Sequence, residues 1–96
     1  NLSEAAVSPR LFSLDRAYPN PFNPETTLQF SLPMQAVVSL VVYNLQGSEV
    51  ISLVNQNMKP GYHSVVWNAN NYSSGVYFLT MQVGDFLETQ KLMLIK

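Results

Sequence analysis

Ninety-six residues with a net charge of −1, no cysteine and only 11% charged side chains describe one small domain with a nearly neutral, polar surface. No cluster of lysine and arginine forms the basic patch that nucleic acid or an anionic membrane surface requires, so neither is expected as a partner. Disulfides and thiolate metal sites are excluded, and the core alone must hold the fold.

Residues 1–10 (NLSEAAVSPR) carry no hydrophobic period and are expected to be a linker or flexible N-terminus. The folded domain is then expected over residues 11–96. The first six residues lack both the positive and the apolar region of a signal peptide, so any export leader of the parent chain is expected upstream or already removed. No apolar run approaches the ~20 residues that span a bilayer, and direct membrane insertion is not expected.

A short extended piece is predicted over residues 11–15. It leads into YPNPFNP, Tyr18 to Pro24, where Pro19, Pro21 and Pro24 crowd together. Proline fixes φ, lacks an N–H and pushes the residue before it out of the helical region. The segment must therefore be a stiff extended loop, with Asn20 and Asn23 suited to Asx turns. Tyr18 and Phe22 are expected to fold back onto the domain as a plug.

From Thr26 the pattern is strand after strand. Residues 26–32 (TTLQFSL) alternate, with Leu28, Phe30 and Leu32 on one face, and Pro33 ends the run. Residues 36–43 put Val38, Leu40 and Val42 on one face. Asn44 to Gly47 reads as a turn, 49–54 as the returning strand, and 55–61 as a polar loop ending in a Pro60-Gly61 breaker. Residues 62–68 alternate again, with His63, Val65 and Trp67 together. Residues 69–74 form a polar loop. Residues 75–83 set Tyr77, Leu79, Met81 and Val83 on one side, and Gly84-Asp85 makes a tight hairpin turn. The last strand runs from Phe86 to Ile95. Its end (LMLI) is apolar on both faces, so period alone leaves its register open. Strands at this spacing, with no helical period between them, predict an all-β fold: an immunoglobulin-like antiparallel β-sandwich of about seven strands, centred on Trp67.

Catalytic sets are missing from the pattern. His63 is the single histidine, at a strand start, where a rim or core role is the ordinary one. The six carboxylates are scattered over strand ends and turns and offer no pair across a cleft. Asn68, Asn70, Asn71 and Asp85 carry oxygens for a hard cation, but their spacing fits no known loop. No cofactor, metal or enzymatic activity is expected. Tyr18, Tyr62, Tyr72 and Tyr77 are the aromatics that a sugar-binding face would use, with Tyr77 placed better in the core.

Five stretches in order carry a more specific resemblance: Tyr18 to Thr27 (YPNPFNPETT), Val38 to Val50 (VSLVVYNLQGSEV), Gly61 to Ala69 (GYHSVVWNA), Ser74 to Leu79 (SGVYFL) and the ending Lys91 to Lys96. Over residues 11–96 the chain resembles the C-terminal sorting domain of type IX secretion, type A, in the lineages where that domain is similar to the immunoglobulin-like domain of flagellar hook-capping proteins. The resemblance implies a non-catalytic module at the end of a secreted or cell-surface protein of Bacteroidetes-type bacteria. It implies as partners an N-terminal passenger domain in the same parent chain, a type IX translocon that recognises the module after periplasmic transit, and a sortase that removes it, with the cut within residues 1–15. Carried over to this chain, the candidate recognition residues are Pro19, Asn20, Pro21, Gly75, Tyr77, Lys91 and Lys96. Each also has a purely structural role open to it. Strand addition to an unpaired edge of the last strand is the mechanism expected for recognition. The competing reading is an immunoglobulin-like spacer or a carbohydrate-binding accessory module of a larger secreted enzyme.

Overall fold

The computed structural model describes residues 9–96, which form seven strands and no helix. Residues 1–8, most of the expected linker, lie outside the described residues. Strand β1 is Ser13–Leu14, β2 Glu25–Leu32, β3 Ala36–Tyr43, β4 Glu49–Met58, β5 Gly61–Asn68, β6 Gly75–Val83 and β7 Phe86–Leu94. They pair antiparallel in two sheets, one ordered β1-β2-β5 and the other β4-β3-β6-β7. This is the immunoglobulin-like sandwich that the strand spacing predicts.

Alternation decides which side chains enter the core. Leu28, Phe30 and Leu32 of β2 face Val38, Leu40 and Val42 of β3 and Tyr77, Leu79 and Met81 of β6 across the interior, and all are buried. Burying each such aliphatic or aromatic side chain favours folding by roughly 1.5–3 kcal/mol. Pairing with β6 resolves the ambiguous end of β7. Tyr77 lies opposite Leu92 and Gly75 opposite Leu94. Residues directly opposite share a face, so Leu92 and Leu94 turn inward while Met93 is half-buried and Ile95 is exposed.

Trp67 sits at the centre as expected, at 2% exposure. The rings of Phe22, Tyr72 and Tyr77 surround it at centroid distances of 5.5, 5.6 and 5.6 Å. Its indole N–H is buried and meets no acceptor among the described residues.

The turns follow their residues. A turn stands at Asn44 to Gly47 as expected, and the Asn44 side-chain oxygen closes it by accepting from the backbone N–H of Gln46 and of Ser48, each at 3.0 Å. Gly84 takes a φ of +57° at the first central position of the β6–β7 hairpin, where a type II′ turn needs glycine.

Two expectations need correction. Residues 55–61 are not a loop: β4 continues to Met58, with Asn55, Gln56 and Asn57 opposite Ser39, Val38 and Val37, and only Lys59 and Pro60 join it to β5. These polar side chains sit on an exposed sheet edge, where composition looks like that of a loop although the backbone is fully paired on one side. Tyr18 is no plug. It is 80% exposed, while Phe22 alone enters the core, at 1%.

Candidate functional site

Two open sheets have four edge strands, here β1, β5, β4 and β7. An edge presents a row of unpaired N–H and C=O groups, and it must be covered, distorted or left as a docking site. The most distinctive part of the sequence is spent on one of these edges.

Tyr18 to Pro24 forms a strap that crosses from one sheet to the other. At its start Tyr18 exchanges both backbone hydrogen bonds with Thr27 of β2, at 3.1 and 2.9 Å. Thr26 reinforces this by donating its hydroxyl to the Pro19 carbonyl at 2.8 Å. By Phe22 the chain has reached β7. The Phe22 N–H donates to the Met93 carbonyl at 2.9 Å, and the Ile95 N–H donates to the Phe22 carbonyl at 3.0 Å, which makes a parallel bridge to Leu94.

Asn20 fills the gap between those two points. Its Nδ2 donates to the Lys91 carbonyl at 2.9 Å, and its Oδ1 accepts from the Met93 N–H at 3.0 Å. A carboxamide carries the same donor and acceptor as a peptide group. Pro19 and Pro21 on either side lack an N–H, so the Asn20 side chain does what the backbone beside it cannot. Gln90 makes a similar link one turn of the path earlier. Its Nε2 donates to the Asp15 carbonyl and its Oε1 accepts from the Ala17 N–H, both at 2.8 Å.

The outer edge of β7 is therefore closed from the Lys91 carbonyl to the Ile95 N–H. This corrects the expectation of an unpaired last strand. In an antiparallel ladder alternate residues face outward, and toward Leu87 and Thr89 no described strand pairs with β7 on that side. A groove of about 520 Å³ lies here, lined by Leu14, Ala17, Asn20, Thr89 and Gln90 together with the charged Arg16, Glu88 and Lys91.

The seven candidate residues divide into two groups. Pro19, Asn20, Pro21 and Lys91 come together at the strap and the β7 edge, and all four are exposed. Gly75, Tyr77 and Lys96 serve the other side of the β6–β7 pair. Gly75 has a φ of +153°, a backbone conformation that side chains disfavour, with no atom within 4 Å of where a Cβ would stand. Conformation, not crowding, asks for glycine there. Tyr77 is buried and donates its hydroxyl to the Ser73 carbonyl at 2.6 Å, which fixes the loop before β6. Lys96 closes the same loop by donating its ammonium to the carbonyls of Asn70 and Tyr72 at 2.7 and 2.9 Å. Gln90 and Thr26 were not among the candidates: nothing local marks Gln90, whose partner Ala17 is 73 residues away, and Thr26 reads as an ordinary strand residue although it bonds Pro19 seven residues earlier.

The remaining residues form no reaction site among those described. His63 stacks on Phe30 at a centroid distance of 5.3 Å and shares a 2.8 Å hydrogen bond with the Lys59 carbonyl, which ties the β4–β5 link. The four candidate cation ligands are split: Asn68, Asn70 and Asn71 sit by the loop that precedes β6, and Asp85 sits at the far hairpin that ends it. Among the described residues no three acidic, histidine or cysteine side chains gather as metal ligands, and no helix is long and apolar enough to cross a membrane.

The strap makes a measurable prediction. Asn20→Ala removes two hydrogen bonds at the surface, each worth roughly 0.5–1.5 kcal/mol net. It is expected to lower unfolding free energy by about 1–2 kcal/mol and to speed amide exchange at Met93 while the β2–β5 ladder stays protected. Exchange at Met93 that matches the unaltered domain would show that the carboxamide does not hold this edge.

The fold is thus a strapped, two-sheet β-sandwich with Pro19, Asn20, Pro21 and Lys91 gathered on the β7 edge. Residues 16–96 match the family of secretion system C-terminal sorting domains. The chain belongs to that family, as its YPNPFNP, GYHSVVW and SGVY stretches imply, and it is thus a type IX secretion sorting domain, a mark of export to the cell surface or beyond. No curated protein matches it. Among solved structures it is similar to PorZ, an essential bacterial surface component of the type-IX secretion system of Porphyromonas gingivalis, with 20% identity and a TM-score of 0.58. That likeness shows the shared fold. It covers 88% of this chain and only 11% of the PorZ chain, so this chain spans about a tenth of that protein's length.

Proposed function

We propose that this domain is the export signal of a passenger on its N-terminal side, recognised by the type IX translocon after periplasmic transit and then removed by a sortase. The family match over residues 16–96 carries this reading. The module performs no chemistry of its own: its distinctive residues are engaged in backbone hydrogen bonds and packing, and its function is to present a shape. The domain proper begins at residue 11 and residues 1–10 join it to the passenger, with the cut within residues 1–15. The candidate contacts are Pro19, Asn20, Pro21 and Lys91 at the strap, and Gly75, Tyr77 and Lys96 at the β6 end. The geometry favours the first four as direct contacts, because they are exposed together on one edge. The other three act by holding the loop before β6.

A reporter tests this. Residues 1–96 are fused to the C-terminus of a periplasm-directed fluorescent protein in a bacterium with a type IX system. Fluorescence is expected in the medium or on the surface, and is lost in a strain without the translocon. In a strain without the sortase the exported reporter keeps the added mass of the domain. A folded fusion that stays in the periplasm of the complete strain overturns the reading in favour of a spacer.

A further inference from the structure

Of the four edges, β5 alone runs long, regular and uncovered over its whole length among the described residues. β1 is two residues long. β7 is covered by the strap from Lys91 to Ile95. β4 carries two irregularities: Leu40 pairs with Val54 but Val41 with Ser52, and Val42 pairs with Ile51 but Tyr43 with Glu49, which leaves Leu53 and Val50 as extra residues. Such bulges spoil an edge for further pairing. β5 has none of these devices. Its pairing with β2 is unbroken from Gly61 to Asn68, and GYHSVVWN contains no proline, lysine, arginine or carboxylate.

The groups left open on β5 can be named. Thr27 gives both its backbone bonds to Tyr18, so it faces away from β5, and its partner Val66 faces away from β2. By the same alternation the N–H and C=O of Tyr62, Ser64 and Val66 point outward along the edge, and among the described residues no strand pairs with them. Tyr62 and Val66 are also exposed as side chains, at 65% and 55%.

The sheet across from that edge is wider by one strand. Phe12 touches Phe86, at a centroid distance of 5.9 Å, which sets the β1 side of one sheet over β7 of the other. The two-residue link holds β5 and β4 together on the opposite side. Three strands face four, so β4 lacks a strand across from it. Burial is graded accordingly. Val38, Leu40 and Val42 of β3 are fully buried, whereas of the β4 residues opposite them Val54 is buried, Ile51 is half-buried and Gln56 is exposed.

We propose that β5 is the docking edge of the domain, and that its occupant is a single extended, uncharged strand of the export machinery with apolar side chains turned toward β4. The proposal rests on the sorting function above and replaces β7 as the site of strand addition. Backbone bonds to Tyr62, Ser64 and Val66 supply affinity, and the half-covered flank of β4 selects the apolar residues. A second copy of this chain fits less well, because two abutting β5 edges bring two unmatched β4 strands into the same space.

Two variants test it in the reporter fusion. Ser64→Pro removes an outward N–H and leaves the β2–β5 ladder intact, a position where an edge strand tolerates proline. Val66→Lys places a charge on the open edge. Val37→Lys, exposed on β3 in the other sheet, is the control. Each domain is first shown to be folded by circular dichroism. Export is expected to fall at least tenfold in both edge variants and to stay unchanged in the control. Export of a folded Val66→Lys fusion at the unaltered level overturns the proposal, even where Ser64→Pro fails to fold. A dimer in sedimentation that Val66→Lys separates, with export unaffected, assigns the edge to a second copy instead. Absence of export from the unaltered fusion overturns the sorting function itself, and with it this choice of occupant.

Discussion

Phe22→Ala is expected to lower the unfolding free energy by about 3–5 kcal/mol, the usual cost of truncating a buried aromatic side chain. Phe22 is 1% exposed and packs on Trp67. Its backbone is at the same time the last hydrogen-bonded point of the strap on β7. The side chain is thus the pin that keeps the backbone pairing in place, and the two losses compound. A domain of this size has roughly 5–15 kcal/mol in total, so the variant is expected to be partly unfolded at 37 °C. Thermal melts by circular dichroism check this. Tyr18→Ala, four residues earlier and largely exposed, is the comparison, and it is expected to change stability by less than about 0.5 kcal/mol, as surface substitutions do. Equal effects from the two would mean that the ring of Phe22 does not anchor the strap.

Ending the chain at Gln90 is expected to abolish export and the fold together. The six lost residues include Leu92 and Leu94, both buried. They also include every group on β7 that the strap bonds at Asn20 and Phe22: the Lys91 carbonyl, both Met93 groups and the Ile95 N–H. Two buried leucines alone represent roughly 3–6 kcal/mol, comparable to the whole stability. Loss of export in this truncation therefore reports an unfolded signal. The informative partner is the double variant Lys91→Ala with Lys96→Ala. Lys91 is exposed, and Lys96 gives up two surface hydrogen bonds to the loop before β6, so the domain is expected to stay folded with a loss of about 1–2 kcal/mol. Export is expected to fall at least tenfold while the melt stays cooperative, because Lys91 is lost from the contact edge and Lys96 from the loop that it holds. Unchanged export from the double variant removes Lys91 from the recognition surface and shows that the Lys96 bonds are not needed for it.

Met93→Pro, which would block strand addition to the last strand, also removes the N–H that the Asn20 Oδ1 accepts. Its consequences mix loss of the strap with loss of any docking, so the open edge of β5 is the cleaner place to ask the question.

Much of this architecture was legible in the chain. Alternation of apolar and polar residues placed six of the strands within a few residues, because side chains on a strand point to opposite faces and one face must be buried. The three prolines of Tyr18 to Pro24 excluded helix and central strand by covalent geometry alone. Trp67 as the core's centre, the Asn44 turn and the Gly84 hairpin were equally local. The failures were also local in origin. Asn55 to Asn57 are polar because they lie on an edge, and an edge strand and a loop have similar compositions.

Family and fold class were thus available from residues close together in sequence, where periodicity, turn chemistry and motif order act. The site was not. Whether a strand edge is open depends on which segment returns to lie beside it, and that partner is 71 to 75 residues away for Asn20 and Gln90. Nothing within β7 announces that its outer groups are covered, and nothing within β5 announces that its own are not. Only the packing of one sheet of three strands against another of four decided that, because a hydrogen bond at a sheet edge belongs to the tertiary arrangement and not to the strand that offers it.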